Sequence, residues 1–399
     1  MAILSFSFED ARLGWSVAPF RLDGFNLLVG PSGVGKTRIL DALRAVARKG
    51  LGRETSLFQC SWSITLSAGE QVYTWEALTA SRPAGWVPEI PFFIYEEGDA
   101  SDAPESPGSS PTPQFIEERV SRDGQPIVVR GPEGLRIEGR EAPALKSSES
   151  IISLLRDEVS VKPLYLAFQR FLYSRATTRS LREMYDPRRF EKEKERFQTL
   201  EQLRSDTRLH LAFKAWIMQE RFPDDFARLQ REYCEIFPTV SAVRVARGED
   251  LLAQEEREDA SFGPFQFLDL AIREEGVARW ISFGAMSSGM RRTLTHLLEL
   301  SLAPAGSVVL VDEYENSLGV NCLPSLTDHL LTRSAELQFI LTSHHPYVIE
   351  NVDRKYWKVV TRDGGRVRVR GSAEFPALDT RSKQSAFVQL LNLLEREAS

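Results

Sequence analysis

Apolar residues recur in different rhythms along this chain, and each rhythm predicts a different element. The first forty-five residues read as strand, strand, loop and helix. Phe25 to Val29 (FNLLV) is a short apolar run between Gly24 and Gly30, the pattern of a buried strand. After a glycine-rich loop, Ile39, Leu40, Ala42, Leu43 and Val46 fall at helical spacing. They predict a helix over Arg38 to Arg48 that Gly50 and Gly52 end. From Trp62 the period drops to two, with Trp62, Ile64 and Leu66 on one face. Ala68-Gly69-Glu70 then turns into Val72 to Trp75, which predicts a hairpin. Phe115–Val120 and Ile127–Arg130 around Arg122-Asp123-Gly124 predict a second hairpin. Tyr356–Val360 and Val367–Arg370 around Asp363-Gly364-Gly365 predict a third.

Between these β-rich ends, helical character dominates from Ser148 to Phe237, punctuated by Pro187, Pro223 and Pro238. EKEKERFQTLEQLR (residues 191–204) predicts one strongly charged helix with opposite charges three and four apart, a solvated face. Residues 96–114 are acidic and rich in Pro, Ser and Gly, and predict a disordered surface loop. Lys383 to Arg396 places Phe387, Leu390, Leu391 and Leu394 on one stripe, a last helix docking on the body. The expected organisation is residues 1–147, a helical lobe over 148–237, and residues 238–399 returning to the first part.

Composition narrows the class. The 399 residues are 42% hydrophobic and 27% charged, with a net charge of -6, as in soluble globular proteins rather than basic-coated ones. Cys60, Cys234 and Cys322 lie far apart without a C-x-x-C pair, which argues against zinc and disulfides and fits a reducing cytoplasm. MAILSFSFED has no signal-peptide pattern, and no stretch approaches the roughly 18 apolar residues of a membrane span.

Three places carry chemistry. Gly30-Pro31-Ser32-Gly33-Val34-Gly35-Lys36-Thr37 matches G-x-x-x-x-G-K-[ST], between a predicted strand and a predicted helix. Such a loop wraps backbone N–H groups around a polyphosphate at the positive end of the helix. Lys36 would neutralise the β- and γ-phosphates, and the Thr37 hydroxyl would ligate Mg²⁺. Val308–Val311 is an apolar strand ending in Asp312 and Glu313. Asp312 is the candidate for holding Mg²⁺ through its water shell, and Glu313 for orienting the attacking water. A plain strand cap is the alternative for both carboxylates.

Twenty-five residues before Asp312 stands Ser287-Ser288-Gly289, opening a Leu-rich helix. That is either an anion site or a serine N-cap. Thirty-two residues after Asp312, the apolar run Gln338–Leu341 ends in Thr342-Ser343-His344-His345-Pro346. His344 can hydrogen-bond a γ-phosphate or the attacking water. Metal ligation by the His pair is the weaker reading, since neighbours on a strand point to opposite faces.

Taken together, GPSGVGKT, MSSGMRR, VVLVDEYENSLG and ILTSHHP stand in the order and at the approximate spacings of a known family. The chain resembles the ABC-type ATPase heads of the SMC, RecF and overcoming-lysogenization-defect group over residues 1–75 and 280–352. The resemblance implies an α/β P-loop NTPase fold with a mixed sheet, an antiparallel β subdomain and a helical lobe. It implies an ATPase whose two heads sandwich two ATP molecules, with Ser287, Ser288 and Gly289 of one head acting on the nucleotide of the other. His344 would be the switch histidine, and Asn316 to Gly319 the loop linking the two sites. Gln59, just before the Trp62 strand, is the candidate for the family's glutamine-bearing loop, a plain surface glutamine being the alternative. The signature departs from the family pattern, since Ser288 replaces a glycine and Met290 a polar residue.

This resemblance implies an Mg-dependent ATPase that dimerises around ATP and controls a separately encoded effector, a nuclease or toxin, in DNA maintenance or phage defence. An ATP-sensing scaffold and a transporter subunit are the alternatives. No E…D-x-D cluster follows His344, so no nuclease site is expected within the chain. DNA contact would draw on Arg170, Arg175, Arg179, Arg182, Arg188, Arg189, Lys192, Lys194 and Arg196. Glu183, Glu191, Glu193 and Glu195 offset them and favour a salt-bridged face.

Overall fold

A computed structural model describes residues 1–53, 55–82, 112–174, 181, 183–247, 266–316, 318–319, 322–380, 382, 385–386, 388–390 and 392. Most of the acidic 96–114 segment, Ser317 of the Asn316–Gly319 stretch, and much of the 383–396 helix expectation lie outside these residues. The chain divides into two compact units, Met1–Phe171 with Asp353–Ser399, and Leu172–Val352.

The first unit opens with β1 (Ala2–Asp10), β2 (Trp15–Arg21) and β3 (Phe25–Val29), followed by α1 (Lys36–Gly50). β3 is buried at every position, as its apolar run requires. The expected hairpins follow as β4 (Cys60–Ala68) with β5 (Gln71–Thr79), and β6 (Phe115–Arg122) with β7 (Gln125–Gly131). Asp123 and Gly124 both take positive φ at the second turn, the conformation that turn chemistry selects Asp and Gly for. β8 (Gly134–Ile137), β9 (Arg140–Ala142), α2 (Ile151–Leu154) and α3 (Lys162–Phe168) complete the N-terminal segment.

In the second unit come β10 (Phe171–Ser174), β11 (Glu183–Tyr185), α4 (Pro187–Arg196), α5 (Leu200–Ser205), α6 (Leu211–Arg221) and α7 (Pro223–Ile236). They are followed by β12 (Val240–Arg247), β13 (Gln266–Glu274), β14 (Ile281–Ser282), α8 (Ser288–Ser301), β15 (Val308–Val311), α9 (Leu323–Arg333), β16 (Gln338–Thr342) and α10 (Pro346–Asn351). Back in the first unit, β17 (Trp357–Asp363) and β18 (Arg366–Gly371) form the third hairpin.

The first unit's sheet runs β3-β17-β18-β2-β1-β4-β5-β6-β7-β8-β9 and mixes parallel pairs (β3/β17, β18/β2) with antiparallel ones. In the second unit β15 and β16 pair in parallel beside β10, while β11, β13 and β12 form a separate antiparallel sheet. The fold class is therefore α/β, with a large mixed sheet, an antiparallel β subdomain and helices. Two short strands, β10 and β11, interrupt the 148–237 stretch read as helical. The charged helix expected over 191–204 is broken in two. Phe197 is buried, and Thr199 caps α5 in a reciprocal capping box with Gln202, a local signal that outweighs continuous helix.

Two buried charges tie the β-rich half of the first unit to its helices. Lys49 donates to the carbonyls of Ser148 (2.9 Å) and Pro113 (3.3 Å). Glu118 lies beneath α2, accepting from Trp75 Nε1, the Ser150 hydroxyl and the Ile151 N–H, with Arg130 Nη1 at 3.3 Å. Trp75 packs edge-on against Trp62 and Phe168, so this polar joint sits inside the aromatic core. Burial pushes the Glu118 carboxyl up to about 7, although Arg130 and the three hydrogen-bond donors pull it down.

Its unfolded carboxyl titrates near 4.5, so between pH 4.5 and about 7 the folded state keeps a proton that the unfolded state has lost. Stability from this group is therefore greatest below pH 4.5 and falls as pH rises towards 7. Glu118→Gln, which cannot ionise, is expected to flatten that interval in urea unfolding followed across pH. An unchanged slope would disprove the assignment.

Candidate functional site

The first unit holds the glycine-rich loop. Gly33 (φ 79°) and Gly35 (φ 108°) both adopt the left-handed region that side chains disfavour, so glycine at these two positions is a conformational requirement. A Cβ added at Gly30 would come within 2.6 Å of the Val360 carbonyl, so the loop begins where strand and neighbouring strand are too close for a side chain. Pro31 and Ser32 follow, and Val34 is buried under the loop. Lys36, the first residue of α1, folds back so that Nζ donates to the carbonyls of Gly30 (2.8 Å) and Pro31 (3.0 Å). Thr37 stands one residue further along the helix.

Two flanking cations escaped the sequence reading. Arg362 Nη1 donates to the Gly33 carbonyl at 3.3 Å, and Arg38 lies 5.0 Å over the Trp15 ring. Burial lowers the Arg38 guanidinium from its usual range. Nothing local marks Arg362 as a loop neighbour, because 329 residues separate it from Gly33. Gln59 is exposed, with its backbone in the left-handed region (φ 52°) between hydrogen bonds to Ala11 and Ala80.

In the second unit the two buried parallel strands β15 and β16 end together, and Thr342 joins their ends. Its hydroxyl donates to Asp312 Oδ1 (2.7 Å) and accepts the Glu313 N–H (2.7 Å). Glu313 itself is left-handed (φ 46°) and exposed, and its Oε2 accepts from Asn316 Nδ2 at 3.1 Å. Tyr314 turns back into the core. Glu315 is nearly buried, and His344 Nδ1 lies 3.2 Å from its Oε1. The structure thus brings Asp312, Glu313 and His344 together around two residues, Thr342 and Glu315. The polar end of ILTSHHP was the available signal for Thr342.

Ser287 is the N-cap of α8, its hydroxyl accepting the Met290 N–H at 3.2 Å, with Ser287 and Ser288 exposed and Gly289 half-exposed. From the same helix Arg292, 3% exposed, sends Nη2 to the Glu313 carbonyl at 3.4 Å. Arg292 Nε and Nη1 have no hydrogen-bond partner among the described residues. Burial lowers this guanidinium, and burial together with Arg292 holds the neighbouring His296 down to about 3, a neutral ring.

His345 is an N-cap too, its Nδ1 accepting the Tyr347 N–H at 3.2 Å. In the basic stretch, Lys194 pairs with Glu191 (2.9 Å), and Arg196 with Glu193 (2.8 Å) and Asp206. Arg175, Arg179, Arg182 and the side chains of Arg188 and Arg189 lie outside the described residues. Among the described residues no helix is long and apolar enough to cross a membrane.

The Thr342 hydroxyl satisfies one acceptor and one donor at once, so Thr342→Val strands both. Losing it is expected to lower stability by about 1–3 kcal/mol, read as the midpoint of urea unfolding, with Thr342→Ser restoring most of the loss. A Val variant as stable as wild type would show that the bridge is dispensable.

No curated protein matches the sequence. Solved structures with a similar backbone include an SMC head bound to the C-winged helix domain of ScpA, 13% identical, TM-score 0.49, over 93% of this chain and 97% of that one. The SMC head domain from Thermotoga maritima is 12% identical, TM-score 0.43, over 93% of this chain and 99% of that one. An Smc head domain with an extended coiled coil, bound to the C-terminal domain of ScpA derived from Pyrococcus furiosus, is 13% identical, TM-score 0.47, over 100% of both chains. Residues 94–350, well over half of the chain, match the family described as "AAA domain, putative AbiEii toxin, Type IV TA system". The matched stretch begins after the Gly30–Thr37 loop and takes in Ser287–Gly289, Asp312, Glu313 and His344. By the extent of that match, and with these acidic, serine and histidine positions inside it, the chain belongs to this AAA-domain family.

Proposed function

We propose that this protein binds Mg-ATP and hydrolyses it, closing a two-fold dimer around the nucleotide. The observation that carries the reading is the Gly30–Thr37 cradle. Two left-handed glycines stand between a fully buried strand and a 15-residue helix, with the Lys36 ammonium resting on the loop's own carbonyls. A cation held on carbonyls at a helix N-terminus exchanges readily for phosphate oxygens, which carry full negative charge.

The donor set fits magnesium, since the Thr37 hydroxyl and the Asp312 carboxylate are hard oxygen ligands. Mg²⁺, when bound, neutralises charge that develops on the transferring phosphoryl group. Lys36 donates to the β- and γ-phosphates, and the Asn316-held Glu313 carboxylate orients the attacking water. His344 meets the γ-phosphate or that water, and Gln59 fills the glutamine-loop position. Ser287, Ser288 and Gly289 of one subunit contact the γ-phosphate bound by the other. Capping does not exclude this for Ser287, because the exposed first turn keeps backbone N–H groups at its positive end.

The family description names a toxin of a type IV toxin–antitoxin system. That description agrees with a role in defence, and a cytoplasmic location and a separately encoded effector belong to the same proposal.

Lys36→Ala is expected to abolish Mg-ATP binding in calorimetry, and unchanged affinity would sink the reading of the loop. Glu313→Gln should retain binding, slow hydrolysis by roughly two or more orders of magnitude, and shift to a dimer in light scattering with Mg-ATP. Hydrolysis at the wild-type rate would remove Glu313 from its role. Mixing inactive Ser287→Arg with inactive Lys36→Ala should restore partial turnover, and no rescue would refute action across the dimer. A wild-type protein that dimerises with ATP yet turns none over would be a nucleotide sensor instead.

A further inference from the structure

We propose that Glu315 is a positioning residue for His344, fixing its ring with Nδ1–H toward the protein and Nε2 outward as the nitrogen that meets water. The inference rests on the role given to His344 above and specifies which face of the ring performs it.

Glu315 lies two residues past Glu313 on the turn that follows β15. Its side chain is 8% exposed, whereas that of His344 is 60% exposed. Oε1 accepts the backbone N–H of His344 at 3.0 Å and lies 3.2 Å from Nδ1 of the same residue. One carboxylate oxygen therefore faces both the backbone and the ring of a single histidine, a two-point contact that restricts the ring's rotamer. Oε2 is buried with no hydrogen-bond partner among the described residues, so no described donor competes with His344 for this carboxylate.

An ionised carboxylate only accepts hydrogen bonds, so the nitrogen facing it has to carry the proton. In a neutral imidazole the second nitrogen then bears a lone pair, and which nitrogen is protonated follows from the partner of the other. Nε2 of neutral His344 is accordingly an acceptor. It suits a hydrogen of the attacking water and not an anionic phosphate oxygen.

The adjacent histidine supplies an internal contrast. His345 uses its own Nδ1 as the acceptor for the Tyr347 N–H, so its proton resides on Nε2. Two neighbouring histidines thus hold opposite tautomers, one set by a carboxylate and the other by a helix N-terminus.

The test is ¹⁵N NMR of histidine side chains in the full chain without nucleotide, at a pH where the rings are neutral, with His344→Asn and His345→Asn assigning the signals. His344 should show a protonated Nδ1 and His345 a protonated Nε2. Glu315→Gln, whose amide oxygen still accepts, should preserve the His344 pattern, while Glu315→Leu should shift it toward Nε2–H and leave His345 unchanged. In turnover, Glu315→Leu should lower kcat on the order of 10- to 100-fold, the usual cost of losing a partner that orients a histidine, with little change in KM. Adding it to His344→Ala should cause no further loss. A wild-type His344 protonated on Nε2, or an Nδ1–H form that survives Glu315→Leu, overturns the proposal whether or not ATP is hydrolysed. A shifted tautomer with unchanged kcat overturns the positioning role and, with it, the part given to His344 in turnover.

Discussion

Where β15 and β16 end side by side, a single threonine hydroxyl settles how the chain continues. Thr342 holds the Asp312 carboxylate with its proton and the Glu313 amide with a lone pair. The second bond fixes Glu313 at φ 46°, which breaks the alternation of the strand. That break sends the Glu313 side chain to solvent, returns Tyr314 to the core, and brings Glu315 to His344. Four consecutive residues thus receive four environments from one hydroxyl group. A left-handed glutamate costs backbone energy of order 1–3 kcal/mol, and such strain persists only where its surroundings over-determine it.

Sequence pattern made the local elements readable and left the joints between them dark. β3 and α1 could be drawn from FNLLV and the Ile39–Val46 spacing because burial imposes those periods directly. The hairpins were equally open, since Gly69, Asp123 and Gly364 sit at turns that demand positive φ. The break between α4 and α5 was written in Thr199 and Gln202 but hidden by the surrounding charge pattern, which suits one helix as well as two. Glu315 and Thr342 gave almost no signal. A carboxylate in the polar run Asp312-Glu313-Tyr314-Glu315-Asn316 looks like surface, and its burial depends on a residue 29 positions away. His345 could be seen as polar but not as a cap, because an N-cap is a matter of φ and ψ and not of residue type alone.

The same contrast separates the two kinds of buried charge. Glu118 and Lys49 are surrounded by partners and serve as fasteners among strands and helices. Arg292 and Glu315 are buried with donors or an oxygen left over. Unmet hydrogen-bonding capacity in a low-dielectric setting is costly. At Arg292 and Glu315 that unmet capacity lies close to Asp312 and Glu313, and Arg130 carries it at Nη2 beside Glu118.

The approach of Gly30 to the Val360 carbonyl has a consequence for the history of each molecule. β3 gains its parallel partner β17 only through Trp357 to Val359, and Lys358 reaches Asp23 across 335 residues. All of the second unit, Leu172–Val352, is threaded between those partners. Closing so long a loop is entropically expensive and slow, and contacts of this separation form late. A ribosome that has made the glycine-rich loop must synthesise more than three hundred further residues before the strand that braces it exists. A nascent chain, or one cut short before residue 357, would carry the nucleotide motif intact in sequence without the wall against which that motif is shaped.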